Sequence, residues 1–506
     1  MLGLVAAFFF ATTALLGVLH LSSNGQSNGF PFQKLQPTGL DTEVFQDKEQ
    51  QAKIGKLLRE SFVGDNIRNN LIDMTKKVHV AGTPENLEVM DYVERKLRSY
   101  GLETFTTEYE VMLGYPNYDR PNTVDVNEGT ADAPVWTRVS EGKSKILGPP
   151  EAAEQQRDPR AAVWWNAYAK NGSTAGRIVY ANYGRIEDFD YLEQLGIDVT
   201  DAIVLCRYGG LWRGGKVLEA QKRKASGVLL YLDPYDYGNN HSENGGFPND
   251  VFVPSTSVQR GSVNNVDGDP ATPLVPAKPY AFRSVTEEEA SNHVDAWVFG
   301  AFDPNSGTAV ALEMARVLMK TVNETGWQPR RTIMFCGWDA EEHGLVGSNE
   351  FVEEYLKIIE RRAVAIVNVD YLQGNVTLRV TGVPLLYRTL LDAAKSTPNP
   401  NPDEISKGRM TAYDSYRFYY DSKEVLPGYG EETIPTVFLP GGGSDFKRFI
   451  SFAGVPALNM KYTCSYCYPL YHTMYSIEWT MTNLVDREYK VCRTFVRHYS
   501  RIEGQT

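Results

Sequence analysis

Three carboxylates crowd into four positions at Asp339, Glu341 and Glu342. Neighbouring side chains cannot point the same way, so of Glu341 and Glu342 one can bind a metal ion while the other faces substrate. Read alone, the same acids also fit a solvated turn before a helix N-terminus, where the helix dipole favours negative charge. The seven histidines narrow the choice. His293 and Asp295 stand shortly before Asp303, Asp370 closes an apolar run, and His472 lies in Tyr468-Pro-Leu-Tyr-His472. Imidazole and carboxylate are both zinc donors. Two His, two Asp and one Glu suffice for two zinc ions about 3.5–4 Å apart that share a carboxylate. Any one of these histidines is more often a core or surface residue; the set, with an acid pair beside it, favours a metal centre.

The surrounding elements place these residues at strand ends. Residues 332–338 are apolar without alternation, as in a strand covered on both faces in the middle of an α/β sheet. From Ser348 a helix follows, with Phe351, Val352, Tyr355, Leu356 and Ile359 on one face. Acids at the carboxyl edge of such a strand occupy the usual ligand position of an open α/β sheet. The same alternation predicts a helix over 307–321 and a strand over 363–370, and, earlier, a helix over 84–100 and a strand over 102–113. Between about 116 and 282 short apolar runs (178–183, 202–208, 227–231) are parted by Gly, Pro, Asn and Asp. They read as a β-rich inserted domain with one helix near 215–224. Its Arg207, Arg213 and Lys216 read first as a solvated basic face. No internal repeat is present.

Composition limits the rest. At 506 residues the chain needs two or three domains. Its 42% hydrophobic content is that of a globular protein, and a net charge of -12 argues against nucleic acid as a partner. Five cysteines are too few for a disulfide scaffold. Cys464 and Cys467 form a CxxC without a second pair, which fits a local disulfide or two thiols better than a zinc ribbon. Residues 2–21 are apolar and long enough to span a bilayer, so residues 1–22 are expected to be a membrane anchor or a cleaved signal peptide. A stalk over 23–45 would follow. Either reading sends the remainder to the extracellular or lumenal side, as a single-pass membrane protein or a secreted one. Sequons at Asn171, Asn240, Asn323 and Asn375 agree.

Taken together, Asp339-Ala-Glu-Glu342 with Gly344 and Gly347, His293, Asp295-Ala-Trp-Val-Phe-Gly300, Asn368-Val-Asp370 and Tyr468-Pro-Leu-Tyr-His472 resemble the glutamate carboxypeptidase II family of di-zinc exopeptidases. This family also holds aminopeptidases and the non-catalytic transferrin receptor. The resemblance runs through nearly everything after the stalk, including His79-Val-Ala-Gly-Thr83. It implies an α/β peptidase domain built from 46–114 and 286–506, interrupted by a protease-associated (apical) domain over 115–285. It further implies that His293 and Asp370 bind one zinc ion, Glu342 and His472 the other, and Asp303 bridges them. Glu341 would be the general base, Tyr471 would stabilise the oxyanion, and Asp295 would orient His293. Arg213, Ser262, Gly344, Leu345, Gly443, Ser444, Asn459, Lys461 and Tyr471 would contact a small peptide substrate. Thr272, Glu350 and Glu353 match a structural calcium site. His343, where the relatives carry an apolar residue, reads as a helix residue rather than a further ligand.

The chain departs from the pattern in places. Ser262 and Ser444 stand for asparagines, and Asn459 and Lys461 for an arginine pair. The helical domain that supplies dimer contacts in relatives is absent after Thr506, which leaves homodimerisation open. The segment Phe282-Arg-Ser-Val-Thr-Glu-Glu-Glu-Ala-Ser-Asn292 is polar where relatives have a buried strand. The expectation is therefore a strand position left empty beside 332–338 or 363–370. The leading reading is a zinc carboxypeptidase releasing C-terminal residues, glutamate among them. An aminopeptidase of the same fold, a transferrin-receptor-like ectodomain without catalysis and a truncated inactive form are the alternatives.

Overall fold

The computed structural model describes residues 5–10, 16–18, 48–238, 245–279, 295–329, 331–372, 374–425, 433–463 and 468–494. His293, the polar segment before it, the stalk, Asn240, Cys464 and Cys467 lie outside the described residues. A seven-stranded mixed sheet forms the centre, in the order Thr377–Gly382, Ala457–Thr463, Ala363–Val369, Val5–Phe10, Thr332–Gly337, Leu16–Val18, Glu103–Phe105. The strands Ala457–Thr463, Ala363–Val369, Val5–Phe10 and Thr332–Gly337 run parallel, and the others pair antiparallel at the two sides.

The expected empty position is filled. Val5–Phe10 pairs with both Thr332–Gly337 and Ala363–Val369. The run Val-Ala-Ala-Phe-Phe-Phe is as apolar as a buried parallel strand requires, and periodicity cannot separate that use from a membrane segment. No helix of the described residues is long and apolar enough to cross a membrane.

Around the sheet, the elements follow the hydrophobic pattern. Asn305–Thr325 is a helix buried along most of its length, and Val346–Arg362 buries Phe351, Val352, Tyr355 and Ile359, the face its spacing predicts. Pro84–Ser99 begins at the Thr83 cap, whose side chain accepts the Asn86 amide, and only Glu103–Phe105 of the expected strand after it is extended in the sheet. In the inserted domain a parallel sheet of Ile178–Tyr180, Ile203–Arg207 and Gly227–Tyr231 packs with helices Ile186–Gln194 and Arg213–Lys222.

The basic residues here do not form a solvated face. Arg207 sits 3.9 Å over the Tyr183 ring and 3.3 Å from Asp236, while Lys216 is fully buried against the carbonyls of Tyr183 and Gly209. Arg213 is also buried.

Candidate active site and metal centre

The acids follow directly from the Thr332–Gly337 strand. Asp339 is buried, and the helical turn Glu341–Gly344 is bracketed by Ala340 (φ 56°) and Leu345 (φ 57°) in the left-handed region. Tyr468 (φ 64°) and His472 (φ 58°) adopt the same conformation. Each such non-glycine residue costs about 1–3 kcal/mol and persists only where its surroundings hold it, as they do at functional sites.

His472 Nε2 lies 3.1 Å from Glu342 Oε2 and 3.3 Å from Asp303 Oδ2. These separations are close to the edge of about 3.3 Å in a tetrahedron of ligands at about 2.0–2.1 Å. The three ligand atoms lie within 4.8 Å of one another. Asp303 Oδ1, Glu342 Oε1 and Asp370 Oδ1 are buried without a hydrogen-bond partner, the pattern a cation would satisfy. Asp303, Asp370 and Glu341 line one cleft of about 410 Å³. The donors therefore fit zinc. Burial is the first cause that pushes the Glu342 carboxyl up to about 7, and it holds Glu341 and Asp370 well above the carboxylate range, with Asp370 and Glu342 adding to the effect on Glu341. For His472, burial pulls the imidazole down, but Glu342 and Asp303 outweigh it and the net shift is upward.

The remaining candidates divide. Tyr471, Gly443, Asn459 and Lys461 line the cleft, and the Tyr471 ring stacks on His472 with centroids 3.5 Å apart. Ser444 is tied to the metal side, since Asn368 donates to Ser444 Oγ at 2.8 Å and to Asn459 Oδ1 at 3.1 Å. Arg213 is not among the residues that line this cleft: it lies 4.4 Å over the Trp212 ring and donates to Gln259 at 3.0 Å, and its Nε is buried without a partner.

Ser262, Gly344 and Leu345 form a seal rather than an open pocket wall. Ser262 Oγ donates to the His343 carbonyl at 3.0 Å, Gly268 donates to the Gly344 carbonyl at 2.8 Å, and Leu345 is buried. Asp295 accepts the Glu341 amide at 3.2 Å; its expected partner His293 lies outside the described residues.

The calcium donors are engaged by the protein itself. Glu350 accepts the amides of Asp269 at 3.0 Å and Ala277 at 2.6 Å, the Thr272 carbonyl accepts the Val275 amide at 3.2 Å, and Glu353 pairs with Arg448. Only Glu353 Oε2 of the two carboxylates is left without a partner, against the 6–8 oxygens calcium takes, so this set does not fit that ion. The pattern was read from Thr272, Glu350 and Glu353, and the groups that engage the two carboxylates come from elsewhere in the sequence.

Three residues were missed. Arg379 and Tyr371 also line the cleft, and Arg379 pairs across the sheet with Lys461. The alternation in Thr377–Gly382, with Leu378 and Val380 fully buried, puts Arg379 on the other face and could have revealed it. Tyr371 directly follows Asp370, and its hydroxyl accepts from Lys461 Nζ at 3.2 Å. Arg260, which contacts His472, carried no local signal.

A family model described as Peptidase family M28 matches residues 289–495, and one described as PA domain matches residues 167–266. The Glutamate carboxypeptidase 2 homolog of Caenorhabditis elegans is 34% identical, over 85% of this chain and 66% of its own length. Its counterpart from Caenorhabditis briggsae is 33% identical, over 96% of this chain and 72% of its own length. Aminopeptidase NAALADL1 of Mus musculus is 31% identical, over 81% of this chain and 66% of its own length. The chain thus spans about two thirds of the length of these curated relatives.

Proposed function

Because the chain belongs to peptidase family M28, among homologues of glutamate carboxypeptidase 2, and carries an inserted PA domain, we propose that it is a di-zinc carboxypeptidase that removes C-terminal acidic residues from small peptides. The observation that carries this reading is the meeting of Asp303 with Glu342 and His472, while Asp303 lines one cleft with Asp370 and Glu341. Asp303, Glu342, Asp370 and His472, with His293, would hold the metal. Bound zinc would acidify a water molecule and polarise the scissile carbonyl.

The chain's own groups supply the rest. Glu341, with its carboxyl held high by burial and neighbouring acids, is matched to taking a proton from the attacking water and delivering it to the leaving amine. Tyr471 offers a hydroxyl to the developing oxyanion. Arg213 offers a guanidinium to the terminal carboxylate. Arg379 and Lys461 give the cleft two basic side chains, suited to an acidic residue next to the scissile bond.

An aminopeptidase is the second reading, favoured by the mouse relative's name and by the surplus of carboxylates that could take a free α-ammonium. The two separate in one experiment. Zinc content is measured beside hydrolysis of N-acyl-Asp-Glu and of aminoacyl substrates. Cleavage of the blocked dipeptide supports the first reading, cleavage of only the aminoacyl substrates transfers it to the second, and absence of zinc removes both.

The secretory-side location is part of the proposal. Asn171 and Asn323 are exposed and open to glycosylation, whereas the Asn375 amide donates to the Val485 carbonyl at 3.1 Å.

A further inference from the structure

Arg260, in the inserted domain, is fully buried, and no carboxylate among the described residues pairs with it. Its guanidinium is directed only at main-chain carbonyls: Nε donates to Val163 at 3.0 Å, Nη2 to Ala161, and Nη1 to His472 at 3.4 Å. Burial lowers its pKa to about 10. A buried cation without a counter-charge is costly, so its retention calls for a compensating role.

The contact with His472 is reciprocal. The Arg260 amide donates to the His472 carbonyl at 3.2 Å, and His472 Nδ1 lies 3.0 Å from the Arg260 carbonyl. A carbonyl can only accept, so Nδ1 carries the proton and Nε2 is left to face Glu342 and Asp303. The guanidinium bridges the C-terminal end of the short helix Pro159–Ala162, at Ala161 and Val163, to a residue whose φ of 58° is strained.

We propose that Arg260 is a positioning residue for His472: the inserted domain fixes both the imidazole tautomer and the left-handed main chain of a metal ligand in the other domain. Metal retention is then coupled to the docking of that domain. The inference rests on the zinc site of the proposed function.

The test is zinc affinity measured by chelator competition on the full chain, with Arg260→Met and Arg260→Lys. Lysine keeps the charge but cannot reach three carbonyls at once. Both variants should bind one of the two zinc ions about 10–100-fold more weakly, the usual effect of removing an outer support, and leave the other unchanged. On peptide substrate kcat should fall with KM nearly constant. Val204→Ala is the control, because Val204 is fully buried in the inserted domain's own core, away from His472. Wild-type zinc affinity in both Arg260 variants would overturn the proposal, as would equal loss of the same ion in Val204→Ala. Should Arg260→Met fail to fold, Arg260→Lys decides. A wild-type protein without zinc would instead overturn the function reading as well.

Discussion

Asp295 Oδ2 and His343 Nδ1 face each other at 3.6 Å, both fully buried and both without a hydrogen bond elsewhere. The other nitrogen of His343 lies 3.2 Å from the Gly114 carbonyl, and its ring packs 5.0 Å from Trp297, so the imidazole ties the first segment of the peptidase domain to the acid turn. His343→Phe should keep the aromatic packing but strand the Gly114 carbonyl and the Asp295 carboxylate, at a cost of about 1–3 kcal/mol in denaturant unfolding. In a double-mutant cycle, Asp295→Asn should cost less in the His343→Phe background than in wild type; strictly additive effects would show that the two side chains do not interact.

Glu341→Gln should lower turnover about 10²–10⁴-fold with zinc stoichiometry unchanged, because the amide keeps the shape and cannot take a proton. Glu342→Gln should weaken zinc binding, since Glu342 is the residue that meets His472 at 3.1 Å. Kinetics and metal analysis on the same preparations check both, and equal metal loss in the two variants would reverse the assignment.

Arg213→Ala and Arg379→Ala should differ in kind. The first removes a partner for the terminal carboxylate and should raise KM for every peptide acid about 10–100-fold, the equivalent of about 1.5–3 kcal/mol for a charged hydrogen bond. The second should do so only for peptides with an acidic residue next to the scissile bond. A matched series of acidic and neutral peptides reads the difference, and identical profiles for the two variants would show that they do not serve separate subsites.

The metal-free protein should lose stability as pH rises from about 6.5 to 8. Burial raises Glu342 to about 7 and Glu341 and Asp370 well above the usual range, so the folded state binds more protons than the unfolded chain and the slope is negative. Burial lowers His79 to about 4, which gives the opposite trend, but that contribution is complete above about 6.5. Saturating zinc should flatten the pH dependence of Tm. A metal-free Tm that climbs over this range would mean the carboxyls are not held protonated.

Calcium at about 1 mM, enough for weak extracellular sites, should leave the Tm of the zinc-loaded protein unchanged. Arg448→Val should lower it, because Glu353, a largely buried carboxylate, would lose its cation. Stoichiometric calcium in equilibrium dialysis would show that the ion displaces the pair.

Much of this site was legible because its signals are local. The uninterrupted apolar run at 332–338 and the acids after it needed no distant information. The inserted domain's runs likewise resolved into a parallel three-stranded sheet close to where they were read. What stayed hidden depends on partners far along the chain. Val5–Phe10 becomes a central strand only through pairing with residues more than three hundred positions away. Lys216 and Arg213 look solvated until the carbonyls and rings around them are in place. Glu353 looks like a calcium donor until Arg448 arrives from another helix.

The seal between the inserted domain and the acid turn bears on how this architecture can change over evolution. Ser262, Gly268 and Arg260 supply donors to the carbonyls of His343, Gly344 and His472. An insertion that completes the hydrogen bonding of its host is not a detachable module. Excising it would expose polar main chain at the reacting centre, and exchanging it for a homologous insert would succeed only where those three donors are reproduced. A substitution in the insert's own core, as at Val204, touches none of these bonds, while the edge that carries Arg260, Ser262 and Gly268 is bound to the peptidase domain as one unit.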